Sequence, residues 1–221
     1  VALENTVNRG GGSTYSLGEI KSIRALCEKN SLSLHLDGAR IFNALVARQQ
    51  SPAELGQYFD SISVCLSKGL GCPVGSVLLG SKALIQKALR IRKVFGGGMR
   101  QAGYLAAAGI YALDYHIERL AEDHKRAKII GTHLEQKAFV KAVLPVETNI
   151  VLFNLESYEL LKELDQFCQR FDIQISAMDK TRPRVVCHLD FNDKMLEKFL
   201  QVIDSFDQEY QAKSRKVQAL S

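Results

Sequence analysis

A chain of 221 residues, 46% hydrophobic and 24% charged, is long enough to bury a core in one large or two modest domains. Its net charge of +5 is mild, and the basic run Lys87-Ala88-Leu89-Arg90-Ile91-Arg92-Lys93 stands beside no nucleic-acid-reading motif, so a nucleic-acid partner is not expected. No apolar run approaches the ~20 residues that a membrane-spanning helix needs, so no membrane contact is expected either.

Asn8-Arg9-Gly10-Gly11-Gly12-Ser13-Thr14 reads as a flexible loop, since consecutive glycines favour no regular element. Ser16 is placed to cap a helix, with Glu19 as its capping-box partner. That helix is predicted to run to about Lys29, with Ile20, Ile23, Leu26 and Cys27 on its buried face. Residues 31–37 alternate apolar and polar, as a strand does, and Asp37-Gly38-Ala39-Arg40 closes it before a helix from Ile41 to about Arg48. Strands follow from Asp60 to Ser67 and from Gly75 to Leu79, with the loop of residues 68–74 between them. A helix over residues 81–94 meets Gly96-Gly97-Gly98, and a long helical region is predicted over 101–137.

Past Pro145 the pattern changes. Strands at residues 149–155, 173–178 and 184–189 interleave with helices at about 157–171 and 191–210. The reading is an α/β protein: a partial large domain with a mainly parallel sheet over residues 1–137, then a small α/β domain over 138–210. The polar residues 211–221 are expected to fray. The five cysteines (Cys27, Cys65, Cys72, Cys168, Cys187) show no C-x-x-C spacing, which fits buried thiols in a reducing, cytoplasmic compartment. Cys72 lies near Lys68 in sequence, with packing its favoured role.

One stretch carries chemistry. Ser61-Ile62-Ser63-Val64-Cys65-Leu66-Ser67-Lys68-Gly69 places a lysine at the end of an apolar, β-favouring run. Loss of hydration there favours the neutral amine, which attacks an aldehyde to form a Schiff base. Many strands also end in a solvated lysine. Asp37 ends a strand before a glycine, where α/β sheets place ligand-binding groups, although the tetrapeptide taken alone favours an ordinary turn aspartate capping the next helix. Arg40 could bind an anion or simply neutralise Asp37. Gly96 to Gly98 and Arg100 could cradle an anion or form a plain linker. Together these supply what a pyridoxal phosphate enzyme needs: an aldehyde-trapping amine, a carboxylate for the pyridine nitrogen, and anion donors. Arg184 opens a strand and could clamp a carboxylate, with a surface arginine as the competing reading. His188 reads as a satisfied, partly buried histidine, and His116, His124 and His133 lack metal-ligand spacing, so no metal is expected.

In order and spacing these motifs resemble the L-threonine aldolases of the low-specificity type. The resemblance rests on Glu4-Asn5-Thr6, Asn8-Arg9-Gly10-Gly11-Gly12, His35-Leu36-Asp37-Gly38-Ala39-Arg40, Ser67-Lys68-Gly69-Leu70-Gly71, Pro73-Val74-Gly75-Ser76 and Gly96-Gly97-Gly98-Met99-Arg100-Gln101. It covers the chain to about residue 205. It implies the aspartate aminotransferase-like fold of the fold type I pyridoxal phosphate enzymes. It further implies cleavage of L-threonine, L-allo-threonine or both to glycine and acetaldehyde through a Lys68 aldimine and a quinonoid intermediate. By the same resemblance, Asp37 pairs with the pyridine nitrogen, Arg40 lies beside the ring's phenolic oxygen and Arg100 contributes to the cofactor site. Arg184 holds the substrate's α-carboxylate, and Lys93 stands near the substrate. A homotetramer, as a dimer of dimers, is also implied.

Two departures stand out. Val7 occupies a position where the family commonly has histidine, and the family's N-terminal part, with its phosphate loop and ring-stacking histidine, has no counterpart in these residues. Two other readings remain open from the residues: another fold type I enzyme, such as a transaminase or β-eliminating lyase, and an inactive truncated fragment.

Overall fold

A computed structural model describes residues 1–218. The chain divides into two units: Val1–Val7 with Thr14–Ala121, and Asn8–Ser13 with the residues from Glu122 onward.

The first unit is built on a sheet in the order β1 (Ala2–Glu4), β2 (His35–Gly38), β3 (Ser61–Cys65) and β4 (Ser76–Gly80). The first three run parallel and β4 is antiparallel to β3. Helices α1 (Leu17–Lys29), α2 (Ile41–Arg48) and the short α3 (Pro52–Gly56) connect them, followed by α4 (Lys82–Val94) and α5 (Gly103–Tyr115). The expected capping box starts α1: Ser16 Oγ accepts from the Glu19 N–H at 3.2 Å, and Glu19 Oε2 accepts from the Ser16 N–H at 2.7 Å. Ile20, Leu36, Ile41, Leu45, Leu55 and Val64 close one core. Leu26, expected on the buried face of α1, is 62% exposed instead. The helical region expected as one piece over 101–137 breaks at His116, whose Nδ1 lies 2.7 Å from the Leu70 carbonyl oxygen.

Gly38 shows why the turn after β2 carries that residue. A Cβ there would lie 2.8 Å from the Ser63 carbonyl oxygen and 3.1 Å from the Ile41 Cβ, and neither atom is free to swing aside. Gly38→Ala is therefore expected to lower stability by about 1–3 kcal/mol. The measurement is urea denaturation followed by circular dichroism; an unchanged midpoint would show that β2 and β3 can part.

The second unit holds an antiparallel sheet in the order β5 (Ala142–Val143), β6 (Ile150–Asn154), β8 (Arg182–Val186) and β7 (Ser176–Asp179). Its helices are α6 (Leu120–Glu135), which begins in the last residues of the first unit, α7 (Tyr158–Gln169) and α8 (Asp193–Gln218). Ala127, Ile130 and Leu134 of α6 join Val151, Phe153, Leu164, Phe167, Phe199, Ile203 and Phe206 in one core. This packing moves the boundary from the expected 137/138 to 121/122, because α6 buries its apolar side against α7, α8 and β6. The segment Asn8–Ser13 also belongs here: Thr148 Oγ1 donates to the Gly12 carbonyl oxygen at 2.7 Å.

The tail expected to fray from 211 is helical to Gln218. Gln211 Nε2 donates to Asp207 Oδ2 at 2.7 Å and Lys213 Nζ to Glu163 Oε2 at 3.0 Å. The remainder of that expectation, residues 219–221, lies outside the described residues.

His124 couples the second unit's stability to pH. It is 7% exposed, and burial first, then the charge of Lys128, pushes its imidazole from 6.5 down to about 4. Between those values the unfolded chain binds the proton and the folded chain does not. The contribution is therefore intact above pH 6.5 and is lost as pH falls toward 4, amounting to about 2 kcal/mol at pH 5. Urea midpoints compared at pH 7 and pH 5 are expected to show this loss, and His124→Gln to reduce it. Equal losses in the two proteins would assign the effect to other groups.

Candidate functional site

Strands β1, β2 and β3 are parallel, so their carboxyl ends lie at one end of the sheet, where open α/β sheets bind ligands. The register pairs Glu4 with Asp37 and Asp37 with Ser63. Alternation along the pleat then separates two faces. Leu36, Ile62 and Val64 pack into the core, while Asp37, Ser63 and Cys65 lie on the opposite face.

Asp37 is exposed on that second face, and its Oδ1 accepts from the Ala39 N–H at 3.1 Å. This is an aspartate turn of the kind the residues allowed, and it leaves Oδ2 without a partner among the described residues. Arg40 follows at the N-cap position of α2, half-buried, without capping the helix through its side chain.

Lys68 stands three residues past the end of β3. Its loop is pinned by backbone bonds from the Gly71 N–H to the Lys68 carbonyl oxygen at 2.8 Å and from the Cys72 N–H to the Leu66 carbonyl oxygen at 3.1 Å. The side chain itself is exposed, so the loss of hydration expected from the apolar run is not met within this chain. Its Nζ donates to Cys65 Sγ at 3.0 Å, which draws the amine back over the face that carries Asp37. Cys72 is 7% exposed and packs as expected, its thiol pushed up by burial.

Asn5 and Thr6, at the carboxyl end of β1, gave no signal of a site role in the sequence beyond their place in the resemblance. They are 1% and 0% exposed, and Asn5 Nδ2 and Oδ1 and Thr6 Oγ1 find no hydrogen-bond partner. Each orphaned atom costs roughly 1–3 kcal/mol, so the three mark this strand end as a place where a polar partner is missing among the described residues. Lys93 and Arg100 are exposed in the last turn of α4 and the turn after it, and no contact joins them to Asp37 or Lys68.

Arg184 lies in β8 of the second unit. Its Nη1 donates to Asn8 Oδ1 at 2.9 Å, while its Nε is buried without a partner. Apart from its place in the resemblance, Asn8 reads from sequence as a loop residue, since nothing local marks a contact 176 positions away. The His188 side chain is 52% exposed beside Asp190, a surface position. Among the described residues no helix is long and apolar enough to cross a membrane.

The model of the beta-eliminating lyase family matches residues 1–158. The low specificity L-threonine aldolase of Escherichia coli (strain K12) is 41% identical over 196 residues, 89% of this chain and 56% of that protein. Low-specificity L-threonine aldolase 1 of Arabidopsis thaliana is 38% identical over 191 residues, 85% of this chain and 53% of that protein. The chain thus spans about half the length of the curated relatives it matches. Among solved structures, a putative L-allo-threonine aldolase from Listeria monocytogenes EGD-E has a TM-score of 0.78 at 23% identity, covering 92% of this chain and 60% of that one. The histidinol-phosphate aminotransferase of Clostridium acetobutylicum has a TM-score of 0.71 at 18% identity, covering 94% of this chain and 64% of that one. At such identities the likeness establishes the fold, an α/β architecture with a mainly parallel sheet and a smaller antiparallel one.

Proposed function

Since this chain belongs to the beta-eliminating lyase family, we propose that it carries the lysine-bearing part of a pyridoxal phosphate enzyme that cleaves L-threonine, L-allo-threonine or both to glycine and acetaldehyde. The observation that carries this reading is the placement of Lys68 and Asp37 beside adjacent parallel strand ends, with the Lys68 amine drawn over the Asp37 face. The named aldolase relatives support the reaction.

The residues present fit the cofactor. An amine suits its aldehyde, a carboxylate with a free oxygen suits its ring nitrogen, and the orphaned atoms of Asn5 and Thr6 suit a polar ligand nearby. When bound, pyridoxal phosphate supplies that aldehyde and a ring that withdraws electrons from the substrate's Cα. Lys68 offers the amine that bonds the aldehyde. Asp37 would hold the ring nitrogen and keep a proton on it, through the carboxylate oxygen that the Ala39 N–H leaves free. Arg40 and Arg100 act as anion donors to the cofactor. Arg184, with its unpaired Nε, grips the α-carboxylate, and so decides which bond at Cα is aligned for cleavage. Lys93 serves the substrate end.

A second reading has its own support. β4 is exposed along its whole length, α4 has no buried residue, and Phe95 and Tyr104 are 85% and 93% exposed. Apolar surface of that extent is normally covered by protein. That exposure supports a reading in which the chain works within a larger assembly, for which a homotetramer is the proposed form, with an inactive fragment as the alternative. Five cysteines without a disulfide support a reducing, cytoplasmic compartment.

The test is to add pyridoxal phosphate, reduce with borohydride and map the modified peptide by mass spectrometry. A single adduct on Lys68, with acetaldehyde and glycine formed from threonine, is the expected result. No specific adduct from folded protein would sink the site assignment. 2-Oxobutyrate with ammonia, or an exchanged amino group, in place of acetaldehyde would assign the chemistry to an eliminating lyase or a transaminase.

A further inference from the structure

We infer that Cys65 is a positioning residue for Lys68: its sulfur holds the amine over the sheet face where Asp37 stands, in the orientation from which it meets an aldehyde. The inference rests on the reading of Lys68 as the aldehyde-bonding amine.

Pleat alternation puts Cys65 on the same face as Ser63, the register partner of Asp37. The Lys68 loop is fixed at its backbone by the Lys68–Gly71 and Leu66–Cys72 bonds. Gly69 anchors it further, since a Cβ there would lie 2.9 Å from Leu120 Cδ2. The backbone is thus placed, but the side chain carries four rotatable bonds into solvent. Its one polar contact is the 3.0 Å bond from Nζ to Cys65 Sγ. Cys65 also differs from the other cysteines of the chain. Cys27, Cys72, Cys168 and Cys187 are buried, whereas Cys65 is half-exposed and bonded to the lysine that follows β3.

An amine already held over the ring's position loses less rotamer freedom on bonding the aldehyde than one sweeping through solvent. A hydrogen bond of ordinary net strength corresponds to a change of about three- to tenfold in rate or occupancy. Serine places a hydroxyl acceptor where cysteine places sulfur; alanine places none.

The test uses the full chain with pyridoxal phosphate and borohydride. Adduct formation at Lys68 is timed against Lys82 and Lys87 of α4 as internal references. Relative labelling of Lys68 is expected to fall about three- to tenfold in Cys65→Ala and to recover to within about twofold in Cys65→Ser. Unchanged labelling in Cys65→Ala would overturn the role of Cys65 while leaving Lys68 as the aldehyde-bonding amine. Equal losses in the alanine and serine variants would overturn it too, because they would mark a packing role for the sulfur. No preference for Lys68 over the reference lysines in the unaltered chain would overturn the functional reading, and the inference with it.

Discussion

Lys68→Ala is expected to abolish the borohydride-trapped adduct and to lower acetaldehyde release from threonine by at least about 10³-fold. The size follows from what the fold leaves behind. Lys68 is the lysine at the carboxyl ends of the parallel strands, and the other candidate of this kind, Lys93, lies exposed on α4 without contact to Asp37. Among the described residues of the first unit, no other lysine is bonded to Cys65 or Asp37. The fold should survive the change, because the Lys68 side chain is exposed and its single bond goes to Cys65; surface changes of this sort usually stay within about 0.5 kcal/mol. Loss of the adduct with an unchanged urea midpoint would thus isolate the chemistry. Retained cleavage would refute the assignment of Lys68.

Asp37→Asn is expected to separate binding from turnover. The asparagine Oδ1 can still accept from the Ala39 N–H, so the turn between β2 and α2 is preserved. What disappears is the negative charge that keeps a proton on the ring nitrogen. Removing one such electrostatic contact costs on the order of 10²–10³ in turnover. The Lys68 adduct should form at close to its normal level while acetaldehyde release falls by that factor. Full activity in Asp37→Asn would place the ring's partner elsewhere; loss of the adduct would mean that Asp37 is needed to bind the cofactor at all.

Local signals carried much of this architecture. Ser16 and Glu19 announce the start of α1 because a capping box is complete within four residues. The alternation through Leu34, His35, Leu36 and Asp37 announces a strand with one buried face, and the strand-to-glycine step announces the turn that carries the proposed site residue Asp37. What was not legible depended on distant residues. The break at His116 answers to the Leu70 carbonyl oxygen 46 positions earlier, and α6 reads as a continuation of α5 until its core partners are known. The two-residue strand β5 has no periodicity to detect. Exposure of Leu26 and Lys68 is a property of what covers a surface, which no local pattern encodes. The roles of Asn8 and Cys65 were missed for different reasons. The first is a long-range pair; the second is an i to i+3 contact created by the turn after β3.

The six residues Asn8–Ser13 precede nearly all of the first unit yet belong to the second. No single cut separates the two units. Cleaving at 121/122 strands Arg184 Nη1 without Asn8 Oδ1 and Thr148 Oγ1 without the Gly12 carbonyl oxygen. On the ribosome the same arrangement imposes a delay. The glycine segment emerges before its partners, and must wait through the synthesis of the next 136 residues before Thr148 appears and longer before Arg184 does. For that interval it is nascent chain without those two bonds, and the second unit closes around it only after Arg184 has been made.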